Sequence, residues 1–321
     1  MSFTFKPLEG KYADIYEKGI GVKDLMYKVT PGNYVCSFLY KDMVQKVLDF
    51  PVRSDDVWMV SFARTGSTWC QEMIWLIGNN LDLDTARNTL QQFRAPLLET
   101  SAVLFEFADL LKEKFTDSLE YISSLASPRY IKTHLNYHLL PTGIREVKPK
   151  IIYTIRNPKD VCVSFFYHSR LLHNFNVDFE SFCELFLNDA VFGGNIIQHY
   201  LEFWNRRHDS NILVLRYEEM LSDTRGTVRK IADFMEKPIS EDDISAIEDF
   251  LTVKNMRKHK GCNGEPFVEM KNGPDYSEKT GLHFIRQGKV GDWKSHMSPE
   301  MVKRFDDYIE KYTKGTDLSF D

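Results

Sequence analysis

Three short stretches carry residue types that can do chemistry. The first, Phe62-Ala63-Arg64-Thr65-Gly66-Ser67-Thr68-Trp69, sets one cation and three hydroxyls around a single glycine. The second is Lys132-Thr133-His134, and the third is Arg156-Asn157-Pro158-Lys159-Asp160, with Ser164 further along. A donor-rich loop opening a helix suits phosphate or sulfate, because backbone N–H groups and the positive helix end aim at one point. Arginine and lysine add charge, and a nearby histidine can take up a proton near neutral pH. If the three stretches converge, they suit group transfer from a multiply charged anionic donor. Each alone has a plainer reading: a βα turn with an N-capping hydroxyl, a structural histidine at a strand end, or a solvated first helical turn for Lys159 and Asp160. For Ser164 the plain expectation is a local back-bond. His138, His168 and His173 have no better claim on position than His134.

The elements that must position these residues alternate between strand and helix. Val57–Ser61 is an apolar strand, and Trp69, Met73, Leu76 and Ile77 then fall at i, i+4, i+7 and i+8, one helical stripe. Residues 129–134, 150–155 and 211–217 read as three further strands, the 150–155 run having the near-continuous apolar character of a buried parallel strand. Asn157-Pro158 supplies an N-cap and a first-turn proline, Ser240 caps a helix over 241–250, and Ser298-Pro299 opens a last amphipathic helix. Helical patterns also cover 40–49, 178–190, 195–208 and 223–236, and 81–125 with a break at Pro96. Residues 1–35 have no strong period and are expected to form an irregular lead-in. Residues 258–283 are rich in Gly, Asn, Lys and Pro, and a loop that long is either functional or disordered. The expected fold is a single α/β domain over residues 1–321. It has a central, mainly parallel sheet flanked by helices and a P-loop-like anion-binding loop, with ligands beyond the carboxyl ends of the strands.

Composition narrows the function. The net charge of −5 on 321 residues argues against bulk electrostatic binding to nucleic acid, so any anion site must be local. No apolar run approaches the roughly 18 residues of a membrane span. The five cysteines are scattered, with no metal-ligand spacing. With no basic-then-apolar leader pattern at the start, a reducing, cytoplasmic setting is expected. A nucleotide kinase with a phosphate loop would need Gly-Lys-Ser or Gly-Lys-Thr, and neither occurs. A metal-free transfer from an activated donor fits better.

The residues resemble those of the cytosolic sulfotransferases, which use 3′-phosphoadenosine 5′-phosphosulfate (PAPS) as donor and release adenosine 3′,5′-bisphosphate (PAP). Four matched segments occur in family order across nearly the whole chain. Phe62–Trp69 resembles the family's Y-P-K-S-G-T-T-W loop, and Lys132-Thr133-His134 its K-T-H. Arg156–Val161 through Ser164 resembles the segment gripping the 3′-phosphate, and Arg286-Gln287-Gly288-Lys289-Val290-Gly291-Asp292-Trp293-Lys294 the R-K-G-x-x-G-D-W-K signature.

The resemblance implies His134 as general base and Lys132 as the group orienting the sulfonate. Arg64 and Ser164 would join them at the reacting end. Arg64, Thr65, Gly66, Ser67 and Thr68 would cradle the 5′-phosphosulfate, and Trp69 would stack on adenine. Arg156, Ser164, Arg286 and the backbone near Gly288 would hold the 3′-phosphate. Tyr217 and the segments Leu251-Thr252-Val253 with Met256, and Phe284-Ile285 with Gln287, would complete the donor site. The 258–283 loop would close as a lid. The acceptor would be the hydroxyl of a phenol, a sterol or ecdysteroid, or a retinoid-like alcohol, with Phe105 or Phe107 either lining its pocket or simply packing.

Three departures stand out. Arg64 replaces the usual first-loop Lys, Gln287 replaces a Lys, and Val253 replaces a Phe. The family's dimerisation stretch is poorly matched at Lys294–Glu300, so a homodimer of that kind finds weak support. A PAPS-binding homologue with little turnover, or a dehydratase acting through a transient sulfate ester, remain the alternatives.

Overall fold

The computed structural model describes residues 3–320 except 23, 113 and 115. Its centre is a four-stranded parallel sheet in the order β5-β4-β6-β7, built from Val57–Ser61 (β4), Tyr130–Thr133 (β5), Lys150–Ile155 (β6) and Ile212–Arg216 (β7). All of β4 and β5, and β6 after Lys150, are buried. That is why these strands read as apolar runs rather than alternating ones: helices cover both faces. The register aligns their carboxyl ends, with Val60 opposite Thr133, Ser61 opposite Thr154, and Ile155 opposite Arg216. Three polar strand ends are thereby brought to one edge of the sheet, where open α/β folds bind ligands.

The expected helix signals are in place. Asn157 Oδ1 accepts from the Lys159 amide with Pro158 in the first turn, opening a helix over Pro158–His173. Ser240 and Asp243 form a reciprocal capping box. Two segments differ from the sequence reading. The first 35 residues are not irregular. Thr4–Pro7 (β1), Met26–Thr30 (β2) and Tyr34–Ser37 (β3) form an antiparallel sheet, with a helix over Lys11–Ile20. Strands of four or five residues are too short to display a period. This sheet locks onto the body at Gly194, where an added Cβ would lie 2.3 Å from the Asn33 carbonyl. Residues 258–283 are likewise not one open loop: short helices span Glu265–Asn272 and Tyr276–Thr280, the first packed against Pro158–His173. Finally, β7 ends at Arg216, and Tyr217 starts a helix.

One buried ion pair fastens the β4–β5 entrance. Arg129 reaches Asp56 through Nε at 2.7 Å and Nη2 at 2.6 Å, both side chains fully buried. Removing one partner leaves an uncompensated buried charge. Arg129→Met should therefore cost about 3–5 kcal/mol in urea denaturation. Adding Asp56→Leu should recover most of it. A double variant no more stable than the single one would show that the pair itself, and not the orphaned charge, carries the stability.

Candidate active site

The loop after β4 turns through two left-handed residues, Arg64 at φ 72° and Gly66 at φ 93°, before the helix Ser67–Gly78 begins. Gly66 is required twice over, because a Cβ there would meet the Tyr217 ring at 2.5 Å. Gly66, Ser67, Thr68 and Trp69 line a cavity of about 340 Å³. The hydroxyl of Thr65 does not face this cavity. The side chain is fully buried, its Oγ1 3.0 Å from the Phe62 carbonyl and 2.8 Å from Thr154 Oγ1. The hydroxyl braces the loop against β6.

The other expected donor-site residues gather around the same space. Arg156, Ser164 and Tyr217 line it from the strand-end side. Leu251, Thr252, Val253 and Met256 form one wall, and Phe284, Ile285, Arg286, Gln287 and Gly288 another. The Trp69 and Tyr217 ring centroids are 6.0 Å apart and edge-on. Arg156 lies over the Tyr217 ring at 4.3 Å and donates to the Arg64 and Lys289 carbonyls. Arg286 pairs with Asp292 at 2.6 Å. Yet the Nε atoms of both arginines are buried with no hydrogen-bond partner. Buried donors are normally satisfied, so two orphaned guanidinium N–H groups, on arginines that both line this cavity, are consistent with a site built for an anion such as phosphate.

A second cavity, of about 350 Å³, lies beyond the loop, and Arg64, Ser67, Thr68 and Phe284 line both. Lys132 and His134 face this second space. His134 Nδ1 lies 2.9 Å from the Ser61 carbonyl, which can only accept, so Nδ1 carries the proton and Nε2 has the lone pair. Burial first, then Lys132, holds the His134 pKa well below the usual histidine range, so the ring is neutral at pH 7. Burial and Arg64 push the Lys132 amine down to about 8. Arg64 itself falls to about 10 through burial and the charges of Arg156 and Arg286. Its guanidinium reaches Ser164 Oγ at 3.3 Å, His168 Nδ1 at 3.2 Å and the Phe284 carbonyl at 3.4 Å. Ser164 therefore holds Arg64 and makes no back-bond.

Several residues of the site escaped the sequence reading. Glu99, fully buried, accepts from the His134 amide at 2.6 Å and from Thr133 Oγ1 at 2.8 Å. Burial raises its carboxyl to about 7 against those bonds. His199 Nε2 donates to the His134 carbonyl at 3.0 Å, while its Nδ1 accepts from Tyr153. Asp160, read as solvated, is fully buried and accepts from the Gly291 and Trp293 amides, which fixes the Arg286–Trp293 segment. Lys159 is also buried, paired with Asp306 and lying over Trp293. Of the two candidate phenylalanines, Phe105 lines the second cavity, whereas Phe107 packs edge-on against Phe267 in the core. Asp160 and Lys159 had a signal, their place in a matched motif; Glu99 and His199 act through long-range contacts with no spacing to betray them.

Comparison with known proteins identifies the family and the fold. Residues 54–317 match the sulfotransferase domain family. Luciferin sulfotransferase of Photinus pyralis is 34% identical over 286 residues, covering 86% of this chain and 76% of that protein. Amine sulfotransferase of Oryctolagus cuniculus is 31% identical over 294 residues, covering 90% of each. Two crystal structures of retinol dehydratase align over 100% of this chain at 28% identity and TM-score 0.89, covering 98% and 99% of those chains. One holds androsterone with the inactive cofactor PAP, the other retinol with PAP.

The lowered Lys132 pKa has a measurable consequence. A cation with a depressed pKa loses its proton above pH 8, and an anion placed beside it restores that proton. PAP binding at about pH 8.5 should therefore take up protons. Calorimetry in buffers of different ionisation enthalpy reads this directly, and Lys132→Met should abolish the uptake. Equal proton uptake by both proteins would assign the linkage to another group.

Proposed function

The chain belongs to the sulfotransferase domain family, and from that premise we propose that it moves a sulfonate from PAPS to the hydroxyl of a small lipophilic acceptor, with His134 as general base. The observation that carries this reading is the junction of two cavities at Arg64, Ser67, Thr68 and Phe284. Arg64, Arg156 and Arg286 line one side, and the neutral His134 faces the other. A donor on the cationic side would point its transferable group through that junction at an acceptor lying against His134.

Each residue then has a task. Arg156, Ser164 and Arg286, with the Gly288 backbone, hold the 3′-phosphate. Trp69 and Tyr217 flank the adenine, and Leu251–Val253 with Met256, Phe284 and Ile285 close that side, Gln287 standing exposed at its rim. Arg64 and Lys132 neutralise charge growing on the transferred and leaving oxygens, the main source of rate in such in-line displacements. His134 Nε2 takes the acceptor proton, its tautomer fixed by Ser61. Because Lys132 and Arg64 depress its basicity, an anionic donor beside them raises it again. Proton removal is thereby favoured once the donor is seated. A cytosolic location is part of the same reading: among the described residues no helix is long and apolar enough to cross a membrane, and the five cysteines are buried free thiols.

The resemblance in structure to retinol dehydratase favours a second outcome of the same first step, in which an allylic acceptor loses its new sulfate. Product mass distinguishes them: gain of a sulfonate against loss of water.

His134→Ala should lower kcat by about 10²–10⁴-fold while PAP affinity in calorimetry stays nearly unchanged. Equal loss of both would remove its role as base. Arg64→Lys keeps the charge but cannot reach Ser164, His168 and the Phe284 carbonyl together, so kcat should fall by roughly tenfold. An unchanged rate would mean that charge alone is needed at this position.

A further inference from the structure

The acceptor cavity has a second polar group that the transfer chemistry does not use. Glu106, between Phe105 and Phe107, and His173, the last residue of the helix Pro158–His173, both line it. Glu106 Oε2 lies 2.8 Å from His173 Nδ1, and Oε1 accepts from Lys271 at 2.7 Å. The side chains of His173 and Glu106 are 25% and 23% exposed. They belong to a seam that begins at the transfer end. Arg64 contacts His168 at 3.2 Å, and the His168 and His173 rings are 6.0 Å apart. Leu104, Phe105 and Leu172 are their apolar neighbours in the lining, with Ser169 one turn back on the helix.

We propose that His173, oriented by Glu106, receives a second hydroxyl of the acceptor, so that the preferred substrate is a lipophilic diol sulfonated at the end away from His173. The inference rests on the reading of this cavity as the acceptor site. A carboxylate facing Nδ1 makes that nitrogen the donor and leaves Nε2, an acceptor in the neutral ring, with no hydrogen-bond partner within the described chain. The same contacts argue against charged ligands. Both Glu106 oxygens are engaged and its charge is matched by Lys271, so neither an ammonium nor a carboxylate finds an uncompensated partner there. A neutral O–H does. Among these apolar neighbours such a group discriminates against acceptors lacking it, since covering Nε2 with an apolar chain removes its water without replacing the hydrogen bond.

The test compares n-alkanols, from butanol to dodecanol, with their α,ω-diols. Sulfonation rates are measured, together with binding to the PAP-loaded protein. At the chain length that spans His134 and His173, the diol should be preferred by about tenfold in kcat/KM and in affinity. His173→Phe should bring the ratio of diol to monoalcohol kcat/KM to about one, whatever it does to the monoalcohol rate itself, and His173→Gln, which keeps a polar end, should restore part of the preference. Glu106→Gln, which releases the ring tautomer, should weaken it. Equal use of diol and monoalcohol by the unaltered chain, or a preference that survives in His173→Phe, overturns the proposal but leaves the acceptor reading standing. If neither alcohol binds or reacts at any length, the acceptor reading fails with it. An ammonium-bearing amino alcohol preferred over the diol would likewise overturn the assignment of a neutral ligand.

Discussion

Four cations, Arg156 and Arg286 on one cavity, Lys132 on the other and Arg64 on both, are held about the junction of the two spaces with little acidic compensation, and this concentration of like charge is the constraint on which the rest depends. Asp292 answers Arg286, and Glu99 and Glu72 act on Lys132 from behind. Still, Lys132 at about 8 and Arg64 at about 10 show that the charged forms are disfavoured as the site stands. Two unit charges about 4 Å apart repel by roughly 4 kcal/mol in surroundings typical of a protein surface. Such a cluster persists only if a rigid scaffold prevents the side chains from swinging away. A chain of net charge −5 does not create it by composition.

The scaffold meets that constraint by giving each cation a different anchor. Lys132 lies on β5, Arg156 follows β6, and Arg64 lies in the loop after β4, three parallel neighbours whose register cannot slip without turning buried faces outward. Arg286 has no strand to hold it. Its segment is tied instead by Asp160 to the Gly291 and Trp293 amides, and by Arg257, which donates to the Ile285 and Arg286 carbonyls. His134 is positioned in the same manner, through its backbone, by Glu99 on one side and His199 on the other. Thr65, with its hydroxyl turned inward to Thr154, belongs to this supporting set and not to the ligand-facing one.

These two kinds of anchor explain what could be read from the sequence. The strand–loop–helix at 57–78, the apolar run of β6 and the Asn157-Pro158 cap are local patterns, and each was legible. So were Arg64, Lys132, Arg156 and His134, because each directly follows or ends such a pattern, whereas Arg286 was marked only by its place in a matched motif. Glu99, His199 and the Glu106–His173 pair act across tens of residues, and nothing in their neighbourhoods distinguishes them from surface carboxylates and histidines. The antiparallel sheet of the first 37 residues and the short helices within 258–283 were missed for a different reason. Four to eight residues do not complete enough of a period to be recognised.

That division coincides with the division between the two cavities. In the proposed reading the donor side draws on strand ends and first helical turns of the parallel sheet, where geometry follows from the register of buried strands, with residues 251–256 and 284–288 as its outer walls. The acceptor side draws on Tyr16, Met26 and Phe38 from the first segment, on Leu104 to Glu106, and on Gly261 to Phe267, all parts of short elements or connections. A change of residue in those segments alters the shape of the acceptor space without displacing Arg64, Lys132 or Arg156. Donor chemistry can then stay fixed while acceptor preference varies. For the same physical reason the donor was readable from motifs and the acceptor was not. Arg64 is where the two halves join, since its side chain spans from Ser164 on the donor side to His168 in the acceptor wall. A guanidinium with its several donors can make both contacts at once, which a lysine ammonium on a single point could not. The departure at Arg64 is therefore better understood as a link between the two cavities than as a weakened copy of a lysine.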